Sequence, residues 1–265
     1  MKQLLQNNRS GDIGVSDVPA PICSEDRILV CNQASLISLG TERSLVLLGR
    51  KSLVGKARQR PDLVRRFVEK ARQEGVAKTI QEAKARLDTL RPLGYSSSGV
   101  VIQTGSAITA VRPGDRVACI GEGWATHSES VLMPGTLCSR LPDGVSFEEG
   151  SFGMLGVIAL HGVRKAHVTL GETVVVVGLG LIGLLTVQIL QAYGFRVFGY
   201  DLDQRKCKIA NELGASAESG DWEAFAAQVE QNTSGHGADA VILTVSSSDA
   251  KPVNRGIRLL RQGGR

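Results

Sequence analysis

Between Thr173 and Phe195 the chain runs for 23 residues without a charged side chain, "TVVVVGLGLIGLLTVQILQAYGF". A stretch of that length is long enough to cross a bilayer as a helix, so its internal order decides what kind of chain this is. The valines are β-branched and few, glycines stand at 178, 180 and 183, and helical apolar spacing begins only after Leu181, with Gln188 and Gln191 on the opposite side. That order describes a buried strand, a tight turn and a helix, and excludes a membrane span.

The turn itself carries chemistry. Residues 178–183 read G-x-G-x-x-G directly after a strand and at the opening of a helix, the context in which this motif holds a dinucleotide. Gly178 makes the turn, Gly180 lets the backbone approach a pyrophosphate, and Gly183 lets the helix pack on the strand. Leu179, Leu181 and Ile182 contribute backbone at the helix N-terminus, where unpaired N–H groups face the phosphates. The next strand, in "FRVFGYDLDQRK", ends at Asp201, 23 residues after Gly178. An acid there accepts from both ribose hydroxyls and repels a 2′-phosphate, which favours NAD over NADP. The competing reading makes Asp201 or Asp203 a cap for the following helix, Asp203 being the better cap.

The alternation continues with a helix over 203–213, a helix near 222–231, the strand "ADAVILTV" and the helix "VNRGIRLLRQGG", as in a parallel doubly wound sheet. Arg205, beside the acid, and Ser246, in the loop 246–248 where a nicotinamide ring would lie, complete the expected cofactor contacts. The chain stops at Arg265, where a fifth strand is due, and the expectation is a fragment of a longer polypeptide.

Residues 1–150 read differently. Short alternating strands, "DRILVCNQASLI", "GVVIQTGSAI" and "GDRVACI", are separated by Gly, Pro and Asp turns. In "RPLGYSSSGVV" the expected order is a turn, a serine-rich stop and then the start of a strand. The sequence thus divides into a β-rich domain, 1–150, and a nucleotide domain, 151–265. Between residues 50 and 91, thirteen Lys/Arg face five Asp/Glu, leaving the rest of the chain at −3 of the overall +5. Leu63, Val64, Phe67, Val68 and Ala71 fall at helical spacing there, so two or three amphipathic helices with a solvated basic face are expected. A contact for an anionic substrate or a partner domain is the alternative for that face. Aromatic residues make up only 4 % and do not alternate with the basic ones, which argues against nucleic acid. Five cysteines at 23, 31, 119, 138 and 207 form neither a C-x-x-C pair nor a disulfide framework, and no signal peptide opens the chain; a reducing cytoplasm is the expected location.

The β-rich part with "GVVIQTGSAITAVRPGDRV", then "LPDGVSFEEG", then "LGETVVVVGLGLIG", resembles the medium-chain dehydrogenase/reductase superfamily, which includes zinc alcohol dehydrogenases. The resemblance implies an α/β fold, a GroES-like domain followed by a Rossmann sheet that is incomplete here, and covers nearly all of the chain outside the basic insertion at 50–91. In zinc-dependent members a Cys, a His and a later Cys or acid hold the catalytic metal. At the matching positions stand Leu39 in "LGTE" and Tyr95 in "GYS"; the third falls near Gly153, and no cysteine lies between 138 and 207. Leucine and glycine cannot bind zinc and Glu42 offers at most one hard ligand, so a metal-free site is expected.

Thr41, Glu42 and Tyr95 are then the candidate catalytic groups, with the Tyr95 phenol either a proton donor or a filler of the emptied ligand site. His127 and His161 read as packed or surface histidines, and Trp124 either lines a pocket or covers the β-rich domain. A unit with the "SLISLGTERS" turn and a basic helical insertion also resembles the first part of bacterial two-part oxidoreductases fused to a Gfo/Idh/MocA-type dehydrogenase domain; these are linked to sugar metabolism. Three functions stay open: a zinc-independent, NAD-dependent oxidoreductase for an alcohol or carbonyl, sugar-derived ones included; an NADPH-dependent quinone or enoyl-type reductase; and a non-catalytic NAD(H)-binding module. The expected partners are a small-molecule substrate, the fused domain and, in the intact protein, further copies of the chain.

Overall fold

The four valines that end the uncharged run's first third form the innermost strand of a parallel sheet. In the computed structural model this strand, β9 (Thr173–Val177), is buried at every residue. The structure describes residues 1–38, 40–50, 55, 61–76, 78, 79, 81, 89–247 and 249–265. The chain folds into two compact units, Met1–Met154 and Leu155–Arg265.

In the first unit, β1 (Lys2–Asn7), β2 (Ile13–Asp17) and β4 (Leu90–Pro92) make a three-stranded antiparallel sheet in the order β2-β1-β4. A second antiparallel sheet is built from β3 (Arg27–Ser35), β5 (Ser96–Thr104), β6 (Arg116–Ile120), β7 (Ser130–Pro134) and β8 (Cys138–Arg140), in the order β7-β3-β5-β6-β8. Alternate residues of these strands (Ile28 and Val30, Val117 and Cys119, Val131 and Met133) meet in one core, as the period of two requires. At Gly99 a Cβ would lie 2.1 Å from the Cys31 carbonyl oxygen of the neighbouring strand, so β3 and β5 approach closely only because that position is glycine.

The serines after Tyr95 do not stop a strand; they are inside β5. Ser96, Ser97 and Ser98 are wholly buried. Two of them find acceptors that the local sequence does not reveal: Ser96 Oγ donates to the Ser151 carbonyl at 2.5 Å, and Ser98 Oγ to the Phe147 carbonyl. Both carbonyls belong to the short helix and turn beginning at Ser146, which is closed by a capping box with Glu149.

Around the basic insertion the described residues include α1 (Thr41–Gly49) and α2 (Pro61–Glu74). Val64, Phe67 and Val68 of α2 follow the expected helical spacing but are 40, 37 and 42 % exposed. Lys70 and Lys78 both pair with Glu74 at i,i+4 spacing. The side chain of Leu63, most of 51–60 and all of 82–88 lie outside the described residues.

The second unit alternates strand and helix: β9, α5 (Leu181–Ala192), β10 (Arg196–Tyr200), α6 (Gln204–Glu212), β11 (Ser216–Glu218), α7 (Trp222–Asn232), β12 (Ala240–Leu243) and α8 (Lys251–Leu259), numbering the short helix 147–150 as α3 and the helix over Gly153–Lys165 as α4. All neighbours in the sheet order β11-β10-β9-β12 are parallel. Val174 and Val176 face one layer, with Val187, Leu190 and Val197; Val175 and Val177 face the other, with Phe198, Tyr200, Trp222 and Phe225. Covering both faces is why the strand reads as an unbroken apolar run rather than an alternation. The uncharged stretch is thus a strand, a turn and a twelve-residue helix, and among the described residues no helix is long and apolar enough to cross a membrane. The last helix begins earlier than the apolar pattern suggests, at Lys251, because Pro252 suits its first turn. Beyond it, Arg265 N donates to the Asp239 carbonyl and the Arg265 carbonyl accepts from Val241, so that residue pairs alongside β12 in parallel fashion.

The bottom of this sheet is held by charge. Asp239 accepts from Thr173 N at 2.7 Å and from Arg261, and Glu172 accepts from Thr169 N and Arg265. Burial opposes ionisation of both carboxyls, yet these hydrogen bonds and cations outweigh it and hold both below their ordinary range. A depressed folded pKa means stability that is complete above the unfolded value of about 4 and is lost as pH falls through the folded values. Thermal unfolding followed from pH 6 to pH 2.5 is therefore expected to show a falling Tm below about pH 4. Asp239→Asn should flatten that dependence and lower the Tm at neutral pH.

Candidate functional site

The candidate residues fall in two groups, one in each unit. In the second, the three glycines of the turn after β9 differ in what forces them. Gly178 has φ +94°, a left-handed conformation, and a Cβ there would lie 2.6 Å from Val245 Cγ1. At Gly183 a Cβ would sit 1.9 Å from the Gly178 carbonyl oxygen, so α5 seats on the turn only without a side chain. Thr244, following β12, donates its hydroxyl to that same carbonyl.

Gly180 is different: a Cβ would meet nothing within 4 Å. It is the N-cap of α5 and makes no side-chain cap, leaving the first-turn N–H groups of Leu181, Ile182 and Gly183 without helical acceptors. The geometry is an open cradle at a positive helix end, which fits a pyrophosphate. Leu179 is fully buried and takes part through its backbone, while Leu181 is 41 % exposed at the rim.

Asp201, one residue past β10, reaches back to this turn. Its Oδ2 accepts from Leu179 N at 2.7 Å, its Oδ1 from Asp203 N at 2.9 Å, and Lys206 Nζ lies 3.4 Å from both oxygens. Asp203, in turn, is the N-cap of α6, accepting from Arg205 N. Capping and loop contact are thus divided between the two acids. Arg205 turns to Asp203, with Nη2 at 2.9 Å, and keeps an 89 % exposed side chain; its hydrogen bond holds the Asp203 carboxyl below the usual range. It also lines a cleft of about 540 Å³ between α6 and β11, together with Gln204, Lys208, Asn211 and Glu218, and no residue of the glycine turn borders that cleft. The cation beside Asp201 is Lys206, which the sequence pattern did not single out. Ser246 is exposed in the loop after β12, and Ser248 lies outside the described residues.

In the first unit, Gly94 has φ +95°, and a Cβ there would lie 2.6 Å from His127 N and 3.0 Å from its ring. Tyr95 therefore follows a glycine that lets the chain pass against His127; it is half-buried, and its carbonyl accepts from Gly121 N. Thr41 opens α1 and is exposed. Glu42 is buried, only 6 % accessible. Its Oε1 accepts from Ser38 N at 2.9 Å and its Oε2 lies 3.0 Å from His127 Nε2, while His127 Nδ1 lies 2.8 Å from Ser35 Oγ. A carboxylate can only accept, so toward Glu42 the Nε2 atom is the donor, and Ser35 Oγ meets the other ring nitrogen.

His127, read from the sequence as a packed or surface histidine, lies against a buried carboxylate 85 positions away. No local motif marks that pairing or the part of Ser35. Leu39 lies outside the described residues. Trp124 is 37 % exposed with the Arg27 guanidinium 4.8 Å over its ring, and His161 is exposed on α4. Among the described residues no group of three or more His, Cys, Asp and Glu side chains converges.

A β-rich unit followed by a parallel α/β sheet with this glycine turn and an acid at the end of its second strand is the arrangement of the medium-chain dehydrogenase/reductase class, and the known proteins that this chain is similar to support that superfamily. A family model described as zinc-binding dehydrogenase matches residues 182–265. D-xylulose reductase A of Aspergillus niger is 31 % identical over 206 residues, 65 % of this chain and 57 % of that protein; a probable D-xylulose reductase A of Emericella nidulans is 32 % identical over the same length and is 56 % covered. The chain thus spans a little over half the length of these curated relatives. Among solved structures, an alcohol dehydrogenase from Thermus sp. ATN1 superposes with a TM-score of 0.75 at 19 % identity, covering 100 % of this chain and 76 % of that one. Escherichia coli quinone oxidoreductase complexed with NADPH gives 0.69 at 18 %, covering 98 % and 70 %. At these identities the structures share the fold.

The turn geometry separates two substitutions that look alike on paper. Gly180→Ala is expected to change stability by less than about 1 kcal/mol, the small cost of alanine at an N-cap. Gly183→Ala, which drives a Cβ into the Gly178 carbonyl, should cost about 1–3 kcal/mol or more. Urea unfolding midpoints of the two variants against the parent distinguish them.

Proposed function

We propose that this chain works as an NAD-dependent, zinc-independent oxidoreductase that exchanges a hydride between nicotinamide and an alcohol or carbonyl, the preferred substrate being sugar-derived. The observation that carries the reading is Asp201 bonded to the backbone of the glycine turn, beside the open space over Gly180. A bound nicotinamide supplies the hydride chemistry. In this reading Gly178–Gly183 and the first turn of α5 hold the pyrophosphate, and Asp201 with Lys206 takes the adenosine ribose hydroxyls. A 2′-phosphate at that point would face a carboxylate, which disfavours NADP.

The donor set supports a metal-free reaction. Leu39 and Tyr95 stand at two zinc-ligand positions, and Glu42 already spends its oxygens on Ser38 N and His127. The family model's matched segment, 182–265, contains none of those positions. Proton handling then falls to hydroxyls: Tyr95 and Thr41 are the groups proposed to touch the substrate oxygen, with the hydrogen-bonded chain from buried Glu42 through His127 to exposed Ser35 setting the electrostatics beside them. The fungal relatives are named for reduction of D-xylulose, a sugar, and that supports the substrate class.

Intact protein titrated with NADH and NADPH by nucleotide fluorescence tests the cofactor reading. Preference for NADH is expected, and Asp201→Ala should weaken NADH binding about tenfold to hundredfold, the loss of hydrogen bonds to a charged group worth about 1.5–3 kcal/mol, while narrowing the preference over NADPH. Unchanged affinity and preference would remove Asp201 from the site. For catalysis, Tyr95→Phe, Thr41→Val and His127→Gln are expected to leave NADH affinity intact and to lower turnover of a polyol and ketose panel, by about tenfold or more for the group that moves the proton. Turnover of the intact protein left unchanged by Tyr95→Phe, Thr41→Val and Glu42→Gln alike would place the chemistry outside these groups and favour a non-catalytic NAD(H)-binding module, and activity confined to enones with NADPH would favour a quinone or enoyl-type reductase.

A further inference from the structure

Cys119 and Cys138 are 19 positions apart in the sequence and face each other across the antiparallel pair β6·β8, with their sulfurs 3.7 Å apart. The kind of pair they form follows from the backbone. Leu141 N donates to the Arg116 carbonyl, which makes the adjoining register pair Val117/Arg140 a non-hydrogen-bonded one; two residues along, Cys119/Cys138 is of the same type. In agreement, Cys138 N donates to Gly135 O rather than to Cys119. Non-hydrogen-bonded pairs bring their Cα atoms to about 4.5 Å, within the span of about 4.4–6.8 Å that a disulfide bridges.

From this juxtaposition we infer that Cys119 and Cys138 form a reversible oxidation site, in which a hydroperoxide converts the two thiols into a disulfide that staples β8 to β6. The two cysteines have unequal parts. Cys119 is wholly buried, and its hydrogen bond with Cys138 followed by burial pushes its thiol far above the usual range, so it is a poor first nucleophile. Cys138 is only half-buried, at the start of the edge strand β8. The Cys138 thiolate attacks one peroxide oxygen and the O–O bond breaks. The departing oxygen leaves as hydroxide and takes up a proton to become water, or an alcohol if the peroxide is alkylated. Cys138 is now a sulfenic acid. The Cys119 sulfur attacks it, the S–S bond forms, the S–O bond breaks, and the hydroxide departs with the Cys119 proton as a second water. Two electrons pass from the thiol pair to the peroxide, and nothing else is consumed.

The other three cysteines are engaged elsewhere. Cys23 Sγ donates to the Arg27 carbonyl, Cys207 Sγ to the Glu218 carbonyl, and Cys31 Sγ accepts from Gln33. Reversible pairing of this kind is compatible with a reducing compartment, where such disulfides form transiently.

The full chain, reduced and freed of reductant, is exposed to hydrogen peroxide, denatured, titrated for free thiols and mapped by peptide mass. Two of the five thiols are expected to disappear, with Cys119 and Cys138 found in one linked peptide pair and both thiols restored by dithiothreitol. Cys138→Ser should keep all four of its thiols under the same exposure. Cys119→Ser should leave Cys138 as a sulfenic acid that dimedone traps, and because Cys119 is the buried partner, the Cys138→Ser result stands alone if that variant does not fold. Persistence of all five thiols, a linkage between any other two cysteines, or Cys138 passing to the sulfinic acid without a link would overturn the inference.

Discussion

The nucleotide unit depends on a strand that has no solvent side. Val174 to Val177 are covered in alternation by two separate layers, one built on α5 and α6 and the other on the aromatic cluster of Tyr200, Trp222 and Phe225. Because neither layer can be displaced without exposing valines, the carboxyl end of β9 is fixed in space. The turn that follows inherits that fixity: Gly178 starts it in a left-handed conformation, and Gly183 lies so close to the Gly178 carbonyl that the helix has one seat. The open space over Gly180 is therefore a product of crowding on both sides of it. A cradle of this kind is preorganised, and binding a dinucleotide to it would require little ordering of the backbone.

Electrostatics in the two units follow one rule, that a buried or half-buried carboxylate is kept where backbone N–H groups and a polar side chain meet it. Asp201 receives Leu179 N and Asp203 N, Asp239 receives Thr173 N, and Glu42 receives Ser38 N. Each acid fixes the backbone of a turn or strand end, and each has a nitrogen-bearing side chain close by: Lys206, Arg261 and His127. The Glu42 example stands out because its partner is an imidazole whose second nitrogen reaches an exposed hydroxyl at Ser35. A carboxylate, an imidazole and a hydroxyl are thereby joined in series by two hydrogen bonds.

Much of the second unit was legible in the sequence because its signals are local. The valine run, the glycine spacing, the acid at the end of β10 and the Asp203 cap each span a few residues and reflect backbone sterics and hydrogen bonding that no distant contact alters. The serines after Tyr95 misled for the opposite reason. Ser96 to Ser98 have the composition of a strand breaker, but the carbonyls of Phe147 and Ser151 arrive from some fifty residues away and satisfy Ser98 and Ser96. The amphipathic spacing of α2 was also readable, whereas the exposure of Val64, Phe67 and Val68 was not, since periodicity states which residues share a face and not what covers it.

The sequence by itself determined the class of fold, the position of the glycine turn and the presence of leucine and tyrosine at positions 39 and 95, which the family resemblance matches to zinc ligands. Those depend on residue identity and short spacing. Only the tertiary structure decided which groups meet: that Lys206, rather than Arg205, stands over Asp201, that Glu42 is backed by His127 and Ser35, and that Cys119 faces Cys138. Each of the two first-unit pairings joins residues from different strands or loops, and strand register, set by the burial of one whole face of the sheet, is what brings them within reach.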